Sequence, residues 1–306
     1  MMTRPPRKLI PDDQCIVVFD TTPVRALAEQ PTLPSWVATF AKMSRDGYSF
    51  SLADNALTEL LNQRIKNGLD DADLRTIVGA LAQFLNPNVP VLPGKRDLMS
   101  MIGESDDPAW SEAEAAAFAQ AGWTVLKDPT LLDDDSRKKL AKALQEDRDD
   151  WIETFETFDA IRSKWLDQDP EGEAKNPLDQ YKHPILSAAL ADIASRGKSQ
   201  SPTMAERQDL VMRYLWRQWV RTRKSVQPYD PSNDSKINDG IDFDLYHYLT
   251  LPAYVVATEK GFHGAIEDIK VPQRDWFWKP EELAAAWERG ERPRPTWKDE
   301  RTDSSK

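Results

Sequence analysis

Cys15-Ile16-Val17-Val18-Phe19-Asp20 and Tyr254-Val255-Val256-Ala257-Thr258-Glu259 are the stretches that decide the fold class. Each is a short apolar run rich in β-branched residues that ends in or beside a carboxylate. Such runs read as strands buried on both faces, which is the state of strands in a parallel sheet flanked by helices. In open α/β sheets the ligand crevice lies at the carboxyl ends of the strands. Two acids at two such ends, Asp20 and Glu259, can therefore meet in one crevice although most of the chain separates them. Clustered carboxylates bind hard divalent cations through oxygen, and such cations activate water at a phosphate.

Working outward from Asp20, Thr22 and Pro23 give a helix start, with Pro at the first helical position. Tyr48-Ser49-Phe50 reads as an extended piece. Ser51 to Ile65 reads as a helix capped by Ser51, with Leu52, Ala53, Ala56, Leu57, Leu60 and Leu61 as its apolar face. Glu59 falls on the rim of that face, near Asn55 and Asn62. Asp71 to Leu85 is a second helix. Asn88 to Pro93 reads as a short strand that Pro90 assigns to an edge. The opening third thus alternates strand, helices and strand, as an α/β domain does.

From Ser111 to Lys224 the pattern becomes long, charged and helical. Helices are expected over Ser111–Gln120, Asp135–Ala143, Asp149–Leu166, Ser187–Ala194 and Thr203–Arg223. The last carries Arg213, Arg217 and Arg221 at four-residue spacing, hence on one face, with Trp216, Trp219 and Lys224 nearby. Arginines beside aromatics can contact phosphates and stack bases. They can equally pair with the acids of the surrounding helices. Ile241 to Leu249 reads as a short helical piece stopped near Pro252, and a final helix spans Pro280 to Glu288.

Composition sets limits. The chain has 306 residues and a net charge of −11, so its global field does not favour a long nucleic-acid footprint. A local basic groove is compatible with that sum. One cysteine, Cys15, rules out an internal disulfide framework and makes a reducing, cytoplasmic setting the expectation. No apolar run is long enough to span a bilayer, and the lead before Cys15 lacks a signal-peptide core. The histidines His183, His247 and His263 form no metal-ligand spacing.

Four elements, in order, resemble a PIN-domain nuclease: Phe19-Asp20-Thr21, Leu57-Thr58-Glu59-Leu60-Leu61, Asp244-Leu245-Tyr246-His247 and Ala257-Thr258-Glu259. The resemblance covers residues 14–93 and 236–265. It implies a three-layer α/β fold with a central, mainly parallel sheet and a large α-helical insertion. The expected division is a disordered lead 1–13, a core in two parts (14–95 and 236–270), the helical insertion 96–235 and a Trp/Pro-rich C-terminal extension 271–306. It also implies a metal-dependent endoribonuclease that holds Mg²⁺ or Mn²⁺ on carboxylates and cuts RNA. Asp20 would be the first ligand and Glu59 the helix ligand. Asp244 would be the third, with Asp242 and Asp239 as competing registers. Glu259 stands at the fourth position in Thr258-Glu259-Lys260-Gly261-Phe262, where the family has Thr-x-Asp before an aromatic. Bacterial toxins and effectors occur in that family, which admits a protein inhibitor or self-association as partners.

Other readings of the same residues remain open here. Asp20 could cap the Pro23 helix, Glu59 could be a solvated rim residue, and Asp244 or Asp242 could cap a helix. Phe19-Asp20-Thr21-Thr22 superficially resembles the first motif of a HAD-like phosphohydrolase, but Thr22 stands where that family has a second Asp. A catalytically degenerate PIN-like binding or scaffold protein is the alternative from outside enzymology.

Overall fold

The structure is a computed structural model that describes residues 9–11, 13–66, 68–94, 97–98, 110–180, 183–196, 204–223, 226, 229–233, 236, 238–251, 253–258, 269, 271–292 and 294–295. Its centre is a five-stranded sheet of order β3-β2-β1-β4-β5, in which every pairing is parallel. The strands are β1 (Cys15–Phe19), β2 (Tyr48–Ala53), β3 (Val91–Leu92), β4 (Ala253–Val256) and β5 (Phe277–Trp278). β1 is the middle strand, paired on one side with β2 and on the other with β4. Val17, Val18 and Phe19 are fully buried, as a strand flanked on both edges and both faces must be.

Parallel neighbours need crossovers, and the helices supply them. α1 (Thr21–Glu29) and α2 (Ser35–Met43) link β1 to β2, and α3 (Asp54–Ile65) and α4 (Asp71–Leu81) link β2 to β3. On one sheet face Phe19 and Phe50 meet Phe40 of α2 at ring-centroid distances of 5.7 and 4.9 Å, and Phe84 lies 5.4 Å from Phe19. Strand periodicity puts Val17, Phe19, Phe50 and Leu52 on that same face.

Between β3 and β4 the chain makes a helical excursion. Its described helices are α5 (Glu112–Lys127), α6 (Asp134–Gln168), α7 (Gly172–Lys175), α8 (Pro184–Arg196) and α9 (Met204–Thr222). α10 (Asp239–Asp244) and a 3₁₀ segment (Leu245–Thr250) lead back to β4. α11 (Pro280–Glu288) then packs on α2, where Thr39 Oγ1 donates to Glu288 Oε1 at 2.6 Å.

Several expectations are corrected. The helix expected from Ser51 begins at Asp54, because Ser51, Leu52 and Ala53 are strand residues paired with β1 and β3. Ser51 caps nothing; its Oγ donates to the Val89 carbonyl at 2.6 Å. The second helix stops at Leu81 rather than Leu85, where Leu85 makes an isolated bridge to Phe50. The two helices expected over 135–143 and 149–166 are one helix of 35 residues, capped by Asp133, whose carboxylate accepts from Ser136 N at 2.7 Å. Ile241–Leu249 is α helix only to Asp244 and 3₁₀ beyond. Residues set apart as a C-terminal extension supply the edge strand β5 and a helix of the core. The N-terminal lead up to residue 8 and the capping residue Thr203 lie outside the described residues.

Gly240 lets α10 lie directly on α6, since a Cβ there would meet Trp151 Cβ at 2.9 Å and the Asp147 carbonyl at 3.0 Å. Gly79 of α4 has nothing within 4 Å of an added Cβ. Gly240→Val is expected to destabilise by about 1–3 kcal/mol through overpacking, and Gly79→Ala to stabilise by about 0.5–1 kcal/mol. Paired urea denaturation curves measure both, and equal responses would contradict the close approach of the two helices.

Candidate active site

The order β3-β2-β1-β4-β5 reverses direction between β1 and β4. That is the topological switch point, where crossovers leave on opposite sides and a crevice opens at the carboxyl ends. Asp20 stands at this point. Its backbone N–H donates to the Val256 carbonyl at 3.0 Å, extending the β1–β4 ladder one residue past the strand. Its side chain is therefore held at the sheet edge and is only 5% exposed.

Glu59, one and a half turns into α3, reaches the same place. Thr21 Oγ1 donates a short hydrogen bond to Glu59 Oε2, which ties α3 to the first residue of α1. Burial, and after it the charge of Glu59, pushes the Asp20 carboxyl up to about 7; backbone N–H groups of Thr21 and Thr22 pull the other way. The Asp20 side chain does cap α1, but through a long bond of 3.4 Å from Thr22 N. The residue that caps α1 and the residue at the switch point are thus one.

A second strand-end carboxylate escaped the sequence reading. Asp54 follows β2 as Asp20 follows β1, at the carboxyl end of the neighbouring strand. Its Oδ2 accepts from Gly94 N at 2.8 Å and its Oδ1 from Asn55 N at 2.7 Å. The Tyr248 hydroxyl accepts from Asp54 N at 3.0 Å, and its single proton lies between Asp54 Oδ1 at 3.0 Å and the Leu92 carbonyl at 2.8 Å. Burial raises Asp54 to about 6, and the Tyr248 bond is the largest influence lowering it. A Cβ on Gly94 would fall 2.1 Å from Asp54 Oδ1, so only glycine admits this carboxylate. The overlooked signal is the one at Asp20: Tyr48 to Ala53 is a buried run ended by an acid. Asp97, buried and accepting from Trp110 N at 3.0 Å, is a further acid near this edge that the sequence reading did not single out.

The remaining expected residues are dispersed. Asp244 is buried at the end of α10, with its Oδ1 3.7 Å from His247 Nε2, and its charge is felt by Tyr248. It does not cap the 3₁₀ segment with its side chain, nor does Asp242 cap α10, whose N-cap is Asn238. The charge of Asp242 bears on Tyr214 and Tyr246. Asp239 accepts from the Tyr229 hydroxyl at 2.9 Å. Among the described residues no three His, Cys, Asp or Glu side chains stand together as a metal centre. The carboxylates brought together are Asp20 and Glu59. Glu259 and Lys224 lie outside the described residues.

The arginine face of α9 is occupied by side chains of the protein. Arg213 makes a two-pronged pair with Asp209, both bonds 2.8 Å. Arg221 donates to Gln218 Oε1 at 2.5 Å and lies over the Tyr229 ring. Arg217 is partly buried, near enough to Tyr246 for its charge to be felt there. Trp216 and Trp219 are core residues whose rings meet at 4.9 Å, tilted by 48°.

No protein-family model matches this chain, and neither a curated protein nor a solved structure matches it. None of the described helices is long and apolar enough to cross a membrane.

Two outcomes follow from the strand-end acids. A folded-state carboxyl raised to about 7 binds a proton that the unfolded chain has released, so stability falls as pH rises from about 4 to 7. Asp20→Asn removes that loss and retains an acceptor for Thr22 N; it is expected to stabilise the protein by about 1–3 kcal/mol at pH 8 and to leave little change at pH 4. Denaturation at the two pH values checks the sign. Tyr248→Phe strands the Asp54 N–H and the Leu92 carbonyl, at a cost of about 1–3 kcal/mol. Nuclear magnetic resonance titration of the Asp54 carboxyl in that variant is expected to show its pKa raised further, because the lost bond favoured the ionised form.

Proposed function

We propose that the chain is a metal-dependent nuclease of PIN type, acting on RNA, with Asp20 and Glu59 as its metal-holding carboxylates. The observation that carries this reading is their convergence at the switch point of a parallel sheet. A buried carboxyl raised to about 7 by desolvation and by a neighbouring acid is what an acidic pair does when no cation compensates it.

The donor chemistry fits a hard divalent ion. Mg²⁺ uses one or two carboxylates and fills its remaining positions with water and substrate phosphate oxygens. Asp20 and Glu59 offer oxygen donors from two elements, and Thr21 fixes the orientation of Glu59 through its hydroxyl. Mg²⁺ or Mn²⁺ supplies Lewis-acid polarisation of a phosphodiester and a more acidic water. Asp20 must release its proton to serve, so protons and cations compete for it, and binding tightens as pH rises towards 7. Asp244, buried next to His247, is not a ligand in this reading.

One observation favours a second reading, a catalytically degenerate PIN-like scaffold. The described acids form no group of three, and Asp54 is committed to Gly94 and Tyr248. A toxin role with a protein inhibitor accords with the PIN resemblance alone.

The deciding assay incubates labelled single-stranded RNA and DNA with wild type and with folded Asp20→Asn and Glu59→Gln, in Mg²⁺, Mn²⁺ or EDTA. The nuclease reading expects metal-dependent RNA cleavage reduced at least about 100-fold in each variant, as for loss of a group that stabilises the transition state. Mn²⁺ binding followed calorimetrically is expected to be stronger at pH 8 than at pH 6. Neither cleavage nor Mn²⁺ binding by wild type would leave the scaffold reading in its place.

A further inference from the structure

His183 is a buried titratable group with no part in the strand-end crevice. It is 0% exposed and lies between two indoles of the helical excursion, Trp165 of α6 at a ring-centroid distance of 5.1 Å and Trp216 of α9 at 4.8 Å. Both ring nitrogens are engaged. Nδ1 accepts from Ile185 N at 3.3 Å, and Nε2 lies 3.1 Å from the Asn176 carbonyl. The two bonds fix one protonation state. A carbonyl only accepts, so Nε2 carries the proton; a backbone N–H only donates, so Nδ1 is bare. The ring is therefore neutral.

The place of His183 in the chain makes that state structural. Its carbonyl accepts from Ser187 N at 3.0 Å and Pro184 follows it, so it is the N-cap of α8, with Nδ1 in the part of a capping oxygen. Through Nε2 it also holds the turn that follows α7. That turn hangs on the same two indoles. Trp216 Nε1 donates to the Leu178 carbonyl at 2.8 Å, and a Cβ on Gly172 would fall 2.6 Å from Trp165 Cζ2. A second proton would sit on Nδ1, aim one N–H at another and put a positive charge at the positive end of α8. Burial holds the imidazole below the ordinary histidine value, while the Asn176 carbonyl and the Glu173 charge pull the other way. Among the described residues Glu173 of α7 is the charged group felt at the ring, and it is bonded to Arg162 of α6. Lys175 of α7 pairs with Asp169 and Glu171. α9 presents Trp216, and the first two turns of α8 carry no ionisable side chain.

We propose that His183 is an acid-released lock in the helical excursion. Neutral, it clamps the start of α8 and the 172–178 turn onto Trp165 and Trp216; as imidazolium it loses the cap bond and lets both go. The direction follows from linkage. A histidine held neutral by the fold contributes stability that is complete above the ordinary value of about 6.5 and is lost as pH falls below it. The inference is independent of the nuclease reading, since it concerns other residues and is read without any activity.

Amide hydrogen exchange of the full-length protein, corrected for the intrinsic effect of pH, reads the lock. Between pH 7.5 and pH 5 the protection of Ile185 and Ser187 is expected to fall by about three- to thirtyfold, the upper limit being set by an ordinary histidine value of about 6.5. Val17 and Val18 in β1 are expected to lose none, since the raised Asp20 carboxyl gains stability with acid. His183→Asn keeps an acceptor for Ile185 N and has no charge to gain, so its protection there is expected to stay constant over this range. Glu173→Gln removes the charge that favours imidazolium and is expected to move the fall to lower pH. Unchanged protection in wild type would overturn the proposal. So would an equal fall in β1, which marks global unfolding, or an equal fall in His183→Asn. Should His183→Asn fail to fold, Glu173→Gln decides: a fall at unchanged or higher pH overturns the lock.

Discussion

The structure depends on the insertion of β1 between β2 and β4. A central parallel strand must find partners for its backbone on both edges and cover for its side chains on both faces. Cys15–Phe19 meets the first demand with five register pairs to β2 and four to β4. It meets the second with aromatic rings on the face of Phe19. Because β4 comes from the far end of the chain, that ladder closes the whole domain around the excursion between β3 and β4. It also determines where polarity is tolerated. The residue after β1 is almost wholly cut off from bulk water, and that residue is Asp20.

Asp20 and Asp54 are equivalent in topology and different in chemistry. Both follow a buried strand and both begin or cap the next helix. Asp54 is fully engaged: two backbone N–H groups, the Tyr248 hydroxyl and a contact that only Gly94 permits. It stitches the ends of β2 and β3 to the 3₁₀ segment, which is a structural task. Asp20 is met by Thr21 and Thr22 of the next helix alone, the Thr22 N bond a long one, and it has a like-charged neighbour in Glu59. A carboxylate so poorly compensated is costly for folding, and sites that bind cations or move protons tolerate that cost. Desolvation dominates both shifts, so the contrast comes from what stands next to each carboxyl: the charge of Glu59 at Asp20 and the hydroxyl of Tyr248 at Asp54.

This division explains what was legible in the sequence. The α/β class and the strands at Cys15–Phe19 and Ala253–Val256 announce themselves because a strand buried on both faces leaves an unmixed apolar run. β2 was less visible: Ser49 and Ser51 interrupt its apolar pattern, and Ser51 resembles a helix cap when read with Asp54. Both serines are buried, and both pair with the segment before β3, Ser51 with Val89 and Ser49 with Asn86. A serine satisfied by a distant backbone looks the same in sequence as one satisfied locally. β5, only two residues long, carries no periodicity at all. Gly94 and Tyr248 have no local signature, because their role exists only once β3 and the 3₁₀ segment meet Asp54.

The arginine stripe shows the same limit for charge. Spacing alone puts Arg213, Arg217 and Arg221 on one face of α9, and an isolated helix of that pattern would attract phosphates. In the fold, Asp209 one turn earlier takes both prongs of Arg213, a geometry that satisfies guanidinium better than a single phosphate oxygen does. The next turns are drawn to Gln218 and Tyr229, and Arg223 pairs with Asp159 of α6. Asp159 also accepts from Trp219 Nε1 at 2.8 Å, so one α6 carboxylate anchors both the charge and the aromatic core of α9. With a net charge of −11 the chain has acids to spare for such pairing. Arg223, just past α9, thus ties that helix to α6, while Arg213 and Arg221 bond to side chains of α9 itself. Exposed acids along α6, Asp149, Asp150, Glu153 and Glu156 among them, make that helix an unfavourable face for any polyanion.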